Sequence, residues 1–293
     1  MGTVGTKEFH AHCAAHVFLP LMPMSILAHL RRFAFVSFAL AAWSGPALAE
    51  SSPVPRVAQD DELPDKREEV ATLIDQLKEH AGKRGKEDDD AVAVIDKLVG
   101  EFPKSGPKDR GAIVKAIGTT FKQKRQENSE GVRQNQLFMA SAISLGLMAP
   151  ESVKVLQKWI GDKAHRKDLG LQRVLILSLG KSQDPKAAKT LIDLLVHKHP
   201  IVQGAAAEAL GYYEGSDQKL RKKAFEGILK VLTGVKTQVD TDLNDTIARE
   251  RYDVIAAPMD TALGLLSGEE SRRPQEWRKF WNKNKKRNWD EGS

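Results

Sequence analysis

The sequence is poor in almost everything that marks an enzyme or a disulfide scaffold. Its 293 residues contain one cysteine, Cys13, so no disulfide can form within the chain. Aromatic residues make up 6% of the composition, with three tyrosines. The uncharged apolar run from Phe33 to Trp43 is eleven residues and too short to span a bilayer. Alternating β-branched runs and Asn-Gly turns are missing, which argues against a sheet. Catalytic signatures are missing too: there is no Gly-x-Ser-x-Gly elbow and no His-Glu-x-x-His. Gly180-Lys181-Ser182 imitates the end of a phosphate-binding loop. Leu175, however, stands where that loop needs its first glycine, and the preceding segment is helix-periodic. The sequence therefore points to a non-enzymatic protein with no cofactor.

The start of the chain raises one metal question. His10, His12, Cys13 and His16 crowd soft donors into "HAHCAAH", as zinc or copper would want. The segment after this cluster reads as an export signal. Arg31 and Arg32 precede the apolar run, Ser44-Gly45-Pro46 breaks it, and Ala47-Leu48-Ala49 offers the small-x-small cleavage pattern. Residues 1–49 read as a signal peptide cut before Glu50. Counted from Met22 or Met24 it has an ordinary length, so residues 1–21 read as an upstream start. On that reading the donor cluster is lost, the alternative being a metal-binding leader. The expected product is exported, periplasmic or secreted in a bacterium. It loses Lys7, Arg31, Arg32 and Glu8, leaving 42 basic and 38 acidic side chains in 244 residues. No remaining stretch could make it an integral membrane protein.

What is present is helix periodicity. Residues 50–66 are rich in Pro, Ser and acidic residues and read as a flexible lead-in. From 67 to 268 the chain places apolar residues three and four apart. Four segments end alike: "AIVKAIG" at Gly118, "ASAISLG" at Gly146, "VLILSLG" at Gly180 and "AAAEALG" at Gly211. In each a large apolar residue precedes the glycine and Ala or Ser precedes that. A small residue beside a large one lets successive helices approach, and the glycine is expected to end the helix in a left-handed conformation. New helices are expected behind Pro150-Glu151, Asp184-Pro185 and Ser216-Asp217.

The segments "DPKAAKTLIDLLVH" and "PIVQGAAAEALG", with "ESVKVLQKWIGDKAHRKDLGLQRVLILSLGKSQDP" before them, resemble the HEAT-repeat family and its short bacterial forms. The resemblance is strongest over 150–212 and looser over 67–149 and 213–268. It implies an all-α fold, a right-handed α-solenoid of stacked HEAT-like helical hairpins over 67–268, whose curved surface binds another protein. The family often pairs an Asp in the turn with an Arg early in the second helix. Asp168 fits the turn, but Gln172 and Gln203 hold the helix positions.

Residues 269–293 form a basic, Trp-containing end. From Arg272 to Trp289 there are eight basic residues and one acidic, Glu276. Trp277, Phe280 and Trp281 share one helical face. They read as a cap over the last repeat. The functional alternative is a contact surface built from Trp277, Trp281, Lys283, Lys285, Lys286, Arg287 and Trp289. Its ligand would be an anionic envelope polymer or a lipid surface; export argues against nucleic acid. Asp240, Asp242 and Asn244 match the first positions of a calcium loop. Asp245 replaces its glycine and Arg251 its closing glutamate, so these residues read as helix-capping groups. Asp88-Asp89-Asp90 reads as acidic residues favouring the positive end of a helix. His197 and His199 read as a turn pair, and His80 and His165 as isolated. Tyr212, Tyr213 and Tyr252 either pack between repeats or line a groove. No metal site is expected in the mature chain.

Overall fold

Apolar residues spaced three and four apart wind the chain into helices wherever the computed structural model describes it, over residues 63–125 and 134–290. The 10–16 donor cluster, the signal segment and the lead-in up to residue 62 lie outside the described residues. The fold class is all-α: the described residues contain eleven α-helices and no strand. In chain order these are α1 (Glu68–Gly82), α2 (Asp88–Glu101), α3 (Pro107–Thr119), α4 (Gln136–Gly146), α5 (Val153–Trp159) and α6 (Leu169–Lys181). They continue with α7 (Pro185–Leu194), α8 (Pro200–Gly211), α9 (Gln218–Thr241), α10 (Thr246–Ser267) and α11 (Pro274–Asn284). None is long and apolar enough to cross a membrane.

Neighbours in sequence pair off: α1 on α2, α3 on α4, α5 on α6, α7 on α8 and α9 on α10. Each odd helix also packs on the next odd helix from α1 to α9, and each even helix on the next even one from α2 to α10. Finally, α11 lies on α9. The core runs continuously between the two rows, from Val70 and Leu77 through Leu145, Leu179 and Leu210 to Leu263 and Trp277. An inner even helix has neighbours on both flanks, and α8 shows what that demands. Most of its residues are buried, and Gly204, Ala205, Ala206, Ala207 and Ala209 let α6 and α10 come close.

The repeated glycines do not act as expected. Gly118, Gly146, Gly180 and Gly211 all sit in helical turns; the described left-handed glycines are Gly85, Gly161 and Gly268. Their role is close approach. A Cβ on Gly146 would lie 3.0 Å from that of Ser178, and one on Gly180 would lie 2.6 Å from that of Ala209. One on Gly211 would lie 3.0 Å from Leu265 and 3.7 Å from the Cβ of Ala262. Gly146, Gly180 and Gly211 thus each receive the small residue two places before the glycine of the next triplet. Ala262-Leu263-Gly264 completes the series as a fourth copy. Gly118 stands apart: it closes α3, an odd helix, and faces Val155 of α5.

The helix caps follow the sequence more closely. Asp168, Asp184, Asp217 and Asp245 each accept a backbone N–H from the first turn of α6, α7, α9 and α10. The hairpins are also tied at their bends. Gln172 and Gln203 are buried, and their side-chain amides donate to the carbonyls of Trp159 and His165 and of Leu195. Gln172 also accepts from the N–H of Gly161 at 2.7 Å. Glutamine therefore ties these two bends through its uncharged amide.

The described residues before α1 are tied down. Asp65 accepts from the N–H groups of Lys108 and Asp109 at 2.9 and 3.1 Å, capping α3 from outside. Asp109 in return accepts from Lys66 and Arg67, just before α1. This reciprocal capping fixes residues 63–67 against the start of α3.

Candidate functional site

The basic C-terminal segment is divided between packing and exposure. Its helix, α11, begins with Pro274 and a capping box in which Glu276 accepts from the N–H of Arg273. The Arg273 guanidinium beside Glu276 holds that carboxyl down at about 2. Trp277 is fully buried, and its Nε1 donates to Asp260 of α10 at 2.6 Å. Phe225 of α9 gathers the other rings: Trp281 stacks on it at 5.4 Å, and Trp277, Phe280 and Trp289 surround it. Trp289 is further held by the cation of Lys222, 5.5 Å from the ring centre. Trp277 therefore has no surface to offer a ligand, and Trp281 and Trp289 are partly covered. Lys283, Lys285, Lys286 and Arg287 are exposed, with no carboxylate in ion-pair contact among the described residues.

Asp260 is the residue that sequence reasoning missed here. It accepts from Trp277, from the N–H of Arg272 and from the hydroxyl of Ser271. Nothing local to Asp260 marks it, because its partners lie 11 to 17 residues further along. A cleft of about 440 Å³ opens beside it, lined in part by Leu232, Tyr252, Arg272, Arg273 and Glu276. Its charges are already paired, Arg272 with Glu269 and Arg273 with Glu276.

A second candidate surface lies along the even helices. The residues flanking each glycine triplet are four apart and share one side of their helix: Ile143 and Leu147, Leu177 and Lys181, Glu208 and Tyr212, Thr261 and Leu265. Ile143 is 51% exposed, Leu147 64% and Leu265 42%. Leu177 and Tyr212 are half-buried between them, and Arg173 bridges to Glu208 at 2.5 Å from one helix to the next. The three tyrosines do not share a groove. Tyr212 belongs to this surface and Tyr252 lines the cleft. Tyr213 is buried, its hydroxyl donating to the Asp184 carbonyl, and burial pushes it up to about 12.

Two histidines read as isolated have close company. His165 is buried against Phe121, Phe138 and Trp159, with Nε2 2.8 Å from the Phe121 carbonyl oxygen. His80, in the last turn of α1, places Nδ1 2.8 Å from Glu87 Oε2. His197 and His199 form a turn pair, the His197 Nδ1 accepting from the N–H of His199. Burial, and then the neighbouring His199, lower the His197 pKa. In the calcium-like stretch, Asp240 is part of α9 and pairs with Lys236. Asp242 accepts from the N–H of Asn244.

In comparisons with known proteins, no family model, no curated protein and no solved structure matches this chain. Its class rests on its own helices: an all-α protein of paired helices in two packed rows, closed at one end by a basic helix with an aromatic face.

Proposed function

We propose that this chain is an exported, non-enzymatic scaffold of the HEAT-repeat type. In this reading the helical hairpins stack into a right-handed solenoid whose even-helix surface holds another protein. The pairing of neighbours and the row-to-row packing support the stacking. The recurring glycine triplet supports a repeat. The observation that carries the binding assignment is the surface through Ile143, Leu147, Leu177, Tyr212 and Leu265. Removing large apolar side chains from water against a partner is favourable, and here they flank the glycine triplets on one side of the even helices.

The test is site-specific photo-crosslinking in the native envelope. A photoreactive residue at 143, 177 or 265 is expected to give one discrete protein adduct that persists in high salt. The same residue at exposed odd-helix positions 189 and 226 is expected to give none. Equal labelling from both rows, or none from either, would sink the assignment.

A second reading, contact with an anionic envelope polymer or lipid surface, is favoured by Lys283, Lys285, Lys286 and Arg287. Their charges are unpaired among the described residues while the neighbouring rings are packed away. Binding of this kind would fall steeply with salt, because the charges are exposed and screened. Cosedimentation with anionic vesicles at low and high salt separates it from the apolar surface.

A further inference from the structure

We propose that His80, Glu87 and Asp90 form a binding site for a divalent transition metal of the zinc class, pinning α1 to α2. The turn between these helices reverses through Arg84 and Gly85, at φ 57° and 100°. It brings the last turn of α1 against the first turn of α2. Among the described residues, these three are the His, Asp or Glu side chains that converge, with their ligand atoms all within 4.8 Å of one another.

The four carboxylates that open α2 divide between two tasks. Asp88 is buried and held by Arg125, and Asp89 accepts from the side chain of Gln136. Glu87 and Asp90, three residues apart, are left on the side that faces His80. His80 Nδ1 and Glu87 Oε2 are already 2.8 Å apart. Donors on one tetrahedral zinc, with bonds of about 2.0–2.1 Å, stand roughly 3.3 Å from each other. Asp90 is exposed and has no hydrogen-bond partner among the described residues. Its carboxylate can therefore swing in without breaking anything. One imidazole nitrogen and two carboxylate oxygens suit zinc and its neighbours, whereas calcium and magnesium prefer oxygen alone. The carbonyl end of α1 favours the ion and the positive end of α2 opposes it, so the carboxylates supply the attraction. A water completes the coordination. Lys83, Arg84 and Lys86 in the turn oppose the ion by charge, and Lys83 is drawn off by Glu79.

The test uses the full chain, with zinc as the probe, followed by equilibrium dialysis and thermal unfolding. His10, His12, Cys13 and His16 also offer donors, but they are common to every variant and drop out of the comparison. The wild type is expected to hold one zinc more than His80→Ala or Asp90→Asn, at micromolar free metal. Either substitution is expected to weaken this site at least about tenfold, since even outer partners of a metal ligand cost that much. Zinc is expected to raise the unfolding temperature of the wild type more than that of either variant. Asp90→Asn alters an exposed side chain, so it reads the site even if His80→Ala disturbs the hairpin. Equal zinc stoichiometry and an equal thermal response in wild type and Asp90→Asn would overturn the proposal. So would binding that needs millimolar metal.

Discussion

Gly180 and Ala209 touch backbone to side chain across α6 and α8. A Cβ built on Gly180 would lie 2.7 Å from the Ala209 carbonyl oxygen and 2.6 Å from its Cβ. Neither obstacle is the free end of a flexible side chain, so a larger residue must push the helices apart. Gly180→Ala is expected to destabilise the fold by about 1–3 kcal/mol, the usual cost of overpacking. Gly100, also helical, has nothing within 4 Å of its added Cβ. Gly100→Ala is expected to stabilise by about 0.5–1 kcal/mol, through lost backbone freedom in the unfolded chain. Urea unfolding of the two variants should move the midpoint in opposite directions.

That contact also shows what was legible in the sequence. The helices were, because 3.6-residue periodicity is local. The triplets at 146, 180 and 211 were visible as a pattern, but a glycine at a helix end and a glycine under a neighbouring helix look alike in one dimension. The fourth copy, Ala262-Leu263-Gly264, escaped because α9 and α10 have 24 and 22 residues and carry it far past the earlier spacing. The triplet-like end at Gly118 misleads for the converse reason, since it has the right letters in the wrong row. The C-terminal rings were legible as a face, whereas Asp260, which anchors them, is defined only by distant partners. His80 looked isolated because a left-handed turn, invisible to periodicity, is what faces it toward α2.

Asp88 and Arg125 form a forked ion pair, Nε to Oδ2 at 3.0 Å and Nη2 to Oδ1 at 2.8 Å. Their side chains are 8% and 1% exposed. The guanidinium also lies 5.3 Å from the centre of the Phe138 ring. Asp88→Asn leaves a buried cation uncompensated and is expected to cost about 3–5 kcal/mol. Replacing both partners at once, with Asp88→Leu and Arg125→Met, is expected to recover most of that loss. Chemical denaturation of the single and double variants checks the sign of the coupling.

The end helix makes a sharper distinction between its two faces. Trp277→Ala opens a cavity at a fully buried ring and is expected to cost about 3–5 kcal/mol. Trp277→Phe keeps most of the volume but deprives Asp260 of its indole donor, at an expected cost of about 1–3 kcal/mol. Lys285→Ala and Lys286→Ala touch only exposed groups and are expected to stay within about 0.5 kcal/mol of the wild type. Thermal melts of the four proteins would order them this way. Equal effects from the lysine and tryptophan variants would refute the assignment of α11 as a packed cap.

Stability should also depend on pH through His197. Burial first, and the neighbouring His199 second, hold its folded pKa below the ordinary value of 6.5. Above 6.5 the ring is neutral in both folded and unfolded chains, and the full stability is present. As the pH falls below that value, the unfolded chain takes up the proton more readily than the folded one. Folding is therefore weakened until the folded pKa is also passed, below which the loss is constant. His197→Asn keeps a side-chain acceptor for the N–H of His199 but cannot titrate. The wild type is expected to lose urea resistance between pH 7.5 and pH 5, and His197→Asn to lose measurably less. Parallel slopes in the two proteins would assign the acid sensitivity to other groups.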